Sequence, residues 1–82
     1  MIAKEAYDIF IKKYPNLNIN SMMDYDSSTY VVCATKGNVI AYDDPFYFIN
    51  KSTGDISRFL PSLDIEKFDD AATNREIDIS DF

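Results

Sequence analysis

Leu17-Asn18-Ile19-Asn20-Ser21-Met22-Met23-Asp24-Tyr25-Asp26-Ser27-Ser28-Thr29-Tyr30-Val31-Val32-Cys33-Ala34-Thr35 is the stretch that decides the architecture. Leu17, Ile19, Met23 and Tyr25 alternate with Asn18, Asn20, Met22, Asp24 and Asp26. A period of two is the mark of a half-buried strand, because successive side chains of a strand point to opposite faces. Ser27-Ser28 supplies a turn. Thr29–Thr35 is rich in β-branched and aromatic residues and almost continuously apolar, which predicts a central strand. So short a connection leaves only antiparallel pairing between the two.

The flanking segments extend this hairpin. Upstream, Ile2, Ala6, Ile9, Phe10 and Lys13 follow helical spacing, with Glu5 and Asp8 early and Lys12 and Lys13 late, as the helix dipole favours. Pro15 disfavours helical backbone at Tyr14, so the helix ends near residue 14. Downstream, Lys36-Gly37-Asn38 and Asp43-Asp44-Pro45 punctuate the chain around the short apolar run Val39–Tyr42. Phe46–Asn50 has strong β propensity, and Asp55–Phe59 alternates. Lys51-Ser52-Thr53-Gly54 joins them as a hairpin, with Gly54 taking the positive-φ position. Pro61-Ser62 opens a second helix with Ser62 as its cap, and Ile65, Phe68 and Ala72 form its apolar stripe. Residues 74–82 alternate Ile77 and Ile79 with acids, and read as a loosely held acidic tail in preference to an edge strand. The fold class is therefore α+β: an antiparallel sheet of about four strands, with an N-terminal and a C-terminal helix packed on one face.

Eighty-two residues suit a single domain, 1–82, with one small core. Six Tyr and six Phe supply buried area that a disordered chain lacks. There is no histidine, no tryptophan and one cysteine. A His-based general base, a His/Cys zinc cage and an intrachain disulfide are thereby excluded. No run of 18 apolar residues occurs, and Met1–Glu5 does not resemble a secretory leader. The lone Cys33 in its apolar run fits a reduced, cytoplasmic protein.

The net charge of −6 is carried by one half of the chain. Residues 1–41 hold four basic and four acidic residues; residues 42–82 hold four basic and ten acidic. Such a surface repels nucleic-acid phosphates and anionic membranes and steers basic partners inward; the alternative reading of the charge is solubility alone.

The residues that suggest chemistry are few. Asp24-x-Asp26-x-Ser28 begins like a calcium-binding EF-hand loop, but Thr29 stands where that loop needs Gly and Thr35 where it needs a bidentate Glu. A strand-turn reading fits better, and no metal or other cofactor is expected. Asp43-Asp44 and Asp69-Asp70 are adjacent acids, which point apart and do not converge as an acid/base pair. Cys33 has no base beside it and reads as a core residue. With no reactive constellation, a binding protein is expected and an enzyme is not. Aromatics set within a charged surface are common anchors of protein interfaces, which selects Tyr42, Asp43, Asp44, Tyr47, Asp64, Glu66, Asp69 and Asp70 as partner-binding candidates.

Asp44-Pro45-Phe46-Tyr47-Phe48-Ile49-Asn50-Lys51-Ser52-Thr53-Gly54-Asp55-Ile56, with Phe59-Leu60-Pro61 and the helix after it, resembles the hairpin of small bacterial immunity proteins of polymorphic-toxin systems, including the YrhB-like ones. The resemblance covers residues 44–72, and Asn50 stands where an Asp is common. It implies a cytoplasmic protein that binds and neutralises a cognate toxin. The expectation is an acidic inhibitor that occludes a basic toxin. The alternative is a phage- or plasmid-encoded acidic inhibitor, a duplex mimic directed at a host nucleic-acid enzyme.

Overall fold

The computed structural model describes residues 1–36, 46–59 and 64–82. Helix α1 spans Ala3–Lys13, followed by strands β1 (Asn18–Asp24), β2 (Thr29–Thr35), β3 (Phe46–Asn50) and β4 (Ile56–Arg58), helix α2 (Ile65–Asn74) and strand β5 (Glu76–Ile77). The strands form one antiparallel sheet in the order β4-β3-β2-β1-β5. This is the α+β class expected from the sequence. The apolar β2 lies at its centre, where both faces are covered.

Helix α1 stops as Pro15 dictates: the Tyr14 N–H still donates to the Phe10 carbonyl, and the backbone then leaves the helical region. Ala6 and Phe10 are fully buried against Met22, Tyr30, Val32, Ala34 and Ile49. Helix α2 lies against a different set, with Ala71, Phe68 and Ala72 meeting Met23, Tyr25, Val31, Phe46, Phe48 and Phe59. Met22 and Met23, and Val31 and Val32, are sequence neighbours on opposite sides of a pleat. The two helices therefore cover opposite faces of the sheet, where one face was expected. The reason is composition: β2 is apolar at both parities, so neither face can be left to water.

A bulge sets the phase of β1. Ile19 pairs with Ala34 and Ser21 with Cys33, so Asn20 is the extra residue. Without it, Ile19 and Met23 would share a face. With it, Ile19 joins Met22 against α1, and Met23 turns toward α2. The half-buried strand read from the alternation becomes one that is buried on both sides at Met22 and Met23.

The β3–β4 hairpin closes as its residues predict. Gly54 has φ 78°, and its N–H donates to the Asn50 carbonyl at 2.8 Å. The Asn50 side-chain oxygen accepts from the N–H groups of Ser52 (2.8 Å) and Thr53 (3.0 Å). A Cβ at Gly54 would lie 3.1 Å from Ile9 Cδ1, so α1 packs directly on the turn.

The segment 74–82 is docked, contrary to the loose tail expected. Glu76 and Ile77 pair with Met23 and Met22 as an edge strand, and the Asp24 N–H donates to the Arg75 carbonyl at 2.9 Å. Ile77, Ile79 and Phe82 then pack on the α1 side of the core, with the Phe82 ring edge-on to Tyr7 at 5.3 Å. Among the described residues, no helix is long and apolar enough to cross a membrane.

Candidate functional site

Helix α2 carries most of the acids placed in the candidate set. Its apolar stripe faces the sheet through Phe68, Ala71 and Ala72, so the 3.6-residue period turns Glu66, Asp69 and Asp70 outward, all exposed. Asp64 caps the helix, its carboxylate accepting from the Lys67 N–H at 3.4 Å. The cap expected at Ser62 lies outside the described residues. Asp70 accepts from Asn74 Nδ2 and Arg75 Nη2, each at 2.9 Å. Glu66 and Asp69 form no ion pair among the described residues.

Tyr47 is not part of this surface. It pairs with Val32, so its ring lies on the α1 side, 5.2 Å from Phe10 and 5.6 Å from Tyr14, with the Arg58 guanidinium 5.3 Å over it. Tyr42, Asp43 and Asp44 lie outside the described residues. Of the eight candidates, the structure brings together Asp64, Glu66, Asp69 and Asp70, and sets Tyr47 across the sheet from them.

Lysines hold the two acids of the calcium-like run. Lys51 Nζ donates to Asp24 Oδ1 at 2.7 Å and to the Asp26 carbonyl at 2.6 Å, and lies 4.6 Å over the Tyr30 ring. Asp26 Oδ1 accepts from the Ser28 N–H (2.8 Å), the Thr29 N–H (2.8 Å) and Thr29 Oγ1 (2.7 Å). Asp26 Oδ2 accepts from Lys67 Nζ at 3.0 Å. Partial burial pushes the Asp26 carboxyl up, but bonds from Thr29, Lys67 and Ser28 outweigh it and hold it at about 2. Asp26 thus ties the β1–β2 turn to α2, a structural task. Beside it, burial and then Asp64 push the Tyr25 phenol up.

Cys33 is half-buried, between Ser21 on β1 and Phe46 on β3, less enclosed than the core residue expected. Burial pushes its thiol up, against the opposing bonds of Asn20 and Ser21. The thiol is the protonated, weakly nucleophilic form at neutral pH.

Reading by sequence proximity missed the continuation of the acidic surface beyond α2. Glu76, Asp78 and Asp81 are exposed on the docked segment and form no ion pair among the described residues. Their signal was present in the alternation with Ile77 and Ile79, a strand period that buries one parity and exposes the other. A groove of about 420 Å³ separates this segment, residues 76–80, from Asn20 and Ser21 of β1. No protein-family model matches the chain, and no curated protein or solved structure matches it significantly.

Proposed function

We propose that this chain is an acidic binding protein that neutralises a basic protein partner by covering it, as a cytoplasmic immunity protein covers its toxin. The observation that carries the reading is the fate of its charges. Lys4, Lys51, Lys67 and Arg75 are each paired internally, with Asp8, Asp24, Asp26 and Asp70. Glu66, Asp69, Glu76, Asp78 and Asp81 remain on α2 and the segment after it, exposed and without an ion pair among the described residues. A surface of one sign raises the encounter rate with an oppositely charged protein and suppresses wrong partners.

The test uses a protein partner captured from the native host on the immobilised chain. Its association rate should fall about tenfold or more between about 50 mM and about 500 mM salt. The Glu66→Gln, Asp69→Asn, Asp70→Asn variant should associate more slowly with its circular dichroism unchanged, since these side chains are exposed. A rate flat in salt and indifferent to the variant overturns the reading. Displacement of the chain from its partner by duplex DNA would favour mimicry of a nucleic acid instead.

A further inference from the structure

Among the described residues, one edge of the sheet is paired over only part of its length. Strand β1 runs for seven residues, but β5 pairs only with Met22 and Met23. Asn18–Ser21 have no strand beside them on that side among the described residues. Natural edges are usually blunted by Lys, by Pro, by extreme shortness or by a bulge, and here the bulge at Asn20 is the one such device. The opposite edge, β4, is three residues long and ends in Arg58. Asn18, Ile19, Asn20 and Ser21 carry neither charge nor proline.

The chain after β5 turns away from Asn18–Ser21. Asp78 accepts from the Ser80 N–H (3.0 Å) and Oγ (2.7 Å), and the Phe82 N–H donates to the Ile79 carbonyl at 3.1 Å. These bonds carry Ile79 and Phe82 onto the α1 side of the core. The groove of about 420 Å³ is the space so left, within the size of ordinary ligand sites. Its two sides are chemically distinct. Asn20 and Ser21 of β1 are uncharged, while the facing segment alternates exposed Glu76 and Asp78 with half-buried Ile77 and Ile79.

We infer that an extended basic segment of a protein partner docks here, adding a short strand to β1 at Asn18–Ser21. Main-chain hydrogen bonds to the open edge would supply affinity, as in other strand additions. Side chains of an inserted strand alternate, so cations at one parity meet Glu76 and Asp78 while apolar residues at the other meet Ile77 and Ile79. A second copy of this chain is the wrong occupant, because edge-to-edge pairing would set these acids against a chain of net charge −6. The bulge at Asn20 limits the added strand to a few residues, about 13 Å over four residues of edge. The inference rests on the binding reading above and names where, and how, that partner is held.

The experiment titrates the isotope-labelled chain with the peptide acetyl-Lys-Val-Lys-Val-Lys-amide and follows backbone amide shifts. Saturable shifts confined to residues 18–21 and 76–80 are expected, with none from the Glu-Val counterpart. N-methylation of alternate peptide amides, which removes ladder donors and keeps the charge, should abolish them. The Glu76→Gln, Asp78→Asn variant should bind roughly three- to tenfold more weakly; Asn at 78 keeps an oxygen for the Ser80 bonds. Shifts centred on 64–74, no shifts, equal binding of the N-methylated peptide, or a dimer at the titration concentration would each overturn strand addition. Capture of the native partner by this variant, set beside the α2 variant, separates the two failures. If partner binding depends on α2 alone, the groove is wrong and the binding reading stands.

Discussion

The two faces of the sheet are closed by helices that bury different amounts of side chain. On the α1 side, Phe10, Met22, Val32 and Ile49 are fully buried, and the helix contributes two fully enclosed residues, Ala6 and Phe10. On the α2 side the filling is aromatic: Tyr25, Phe46, Phe48, Phe59 and Phe68 stack in a chain of contacts with centroids 4.3–5.7 Å apart. Helix α2 adds only Ala71 as a buried residue, and its hold is supplemented by the Lys67–Asp26 bond at the sheet end. Rings meet on both faces, but one is closed by a helix that buries Ala6 and Phe10, the other by a helix that buries only Ala71. The acids proposed to meet a partner ride on the second face and on the segment that follows it.

If the α1 side carries most of the folding free energy, Phe10→Ala should be the costliest single change. It removes a fully enclosed ring that also meets Tyr14 and Tyr47, at a cost of about 3–5 kcal/mol. That approaches the whole stability of a small domain, so urea unfolding should show a midpoint near zero denaturant. Phe59→Leu on the other side keeps most of the volume and loses three ring contacts, to Tyr25, Phe48 and Phe68. It should cost about 1–2 kcal/mol. The reverse ranking would break the comparison and make the α2 face the principal core.

The parts of this asymmetry visible in the chain were the local ones. Helix α1 is written in the spacing of Ala6 and Phe10 and in Pro15, and the β3–β4 turn in Gly54. The outward acids of α2 follow from Glu66, Asp69 and Asp70 lying three and four residues apart. The phase of β1 was hidden, because one bulge at Asn20 reverses which residues face which helix, and nothing in Asn18-Ile19-Asn20-Ser21 marks it. The placement of the helices followed from that phase and from Val31 and Val32 both being apolar. Sequence proximity puts Tyr47 among the acids, whereas its pairing with Val32 puts it on the α1 side. The docking of residues 76–82 depends on Ile77, Ile79 and Phe82 finding a core that only the assembled sheet provides.

The ionic tie on the α2 side sets a pH dependence. Asp26 titrates at about 2 in the folded chain against an ordinary 3.8. A lowered carboxyl stabilises the fold above its unfolded value and loses that contribution as pH falls through the folded one. Stability from this group should therefore be flat above about pH 5 and fall between about pH 4 and 2. Its size is about 1 kcal/mol once solvent screening is allowed for. Asp26→Asn should lose about that much at neutral pH and show a shallower acid limb in urea midpoints measured against pH. An unchanged limb would assign the acid sensitivity to other carboxylates and leave α2 held by its rings alone.

The smallest effect belongs to the ion pair on the α1 side. Lys4 Nζ and Asp8 Oδ1 are 2.9 Å apart one helical turn along, with side chains 47% and 60% exposed. Lys4 also lies 5.6 Å over Tyr7 and 5.9 Å over Phe82, so it keeps company when the carboxylate is removed. Asp8→Asn should change stability by less than about 0.5 kcal/mol, and by less still in about 0.5 M salt. Asp26→Ala, unlike Asp26→Asn with its remaining amide oxygen, removes an acceptor of four bonds from three residues, two of them backbone N–H groups. Asp8→Asn and Asp26→Ala therefore share the loss of one lysine pair and differ in the turn that Asp26 closes. Equal effects would assign the Asp26 contribution to its pairing with Lys67; a larger one at Asp26 assigns it to the turn, and makes the β1–β2 corner, rather than the salt bridge, the point where α2 is fixed to the sheet.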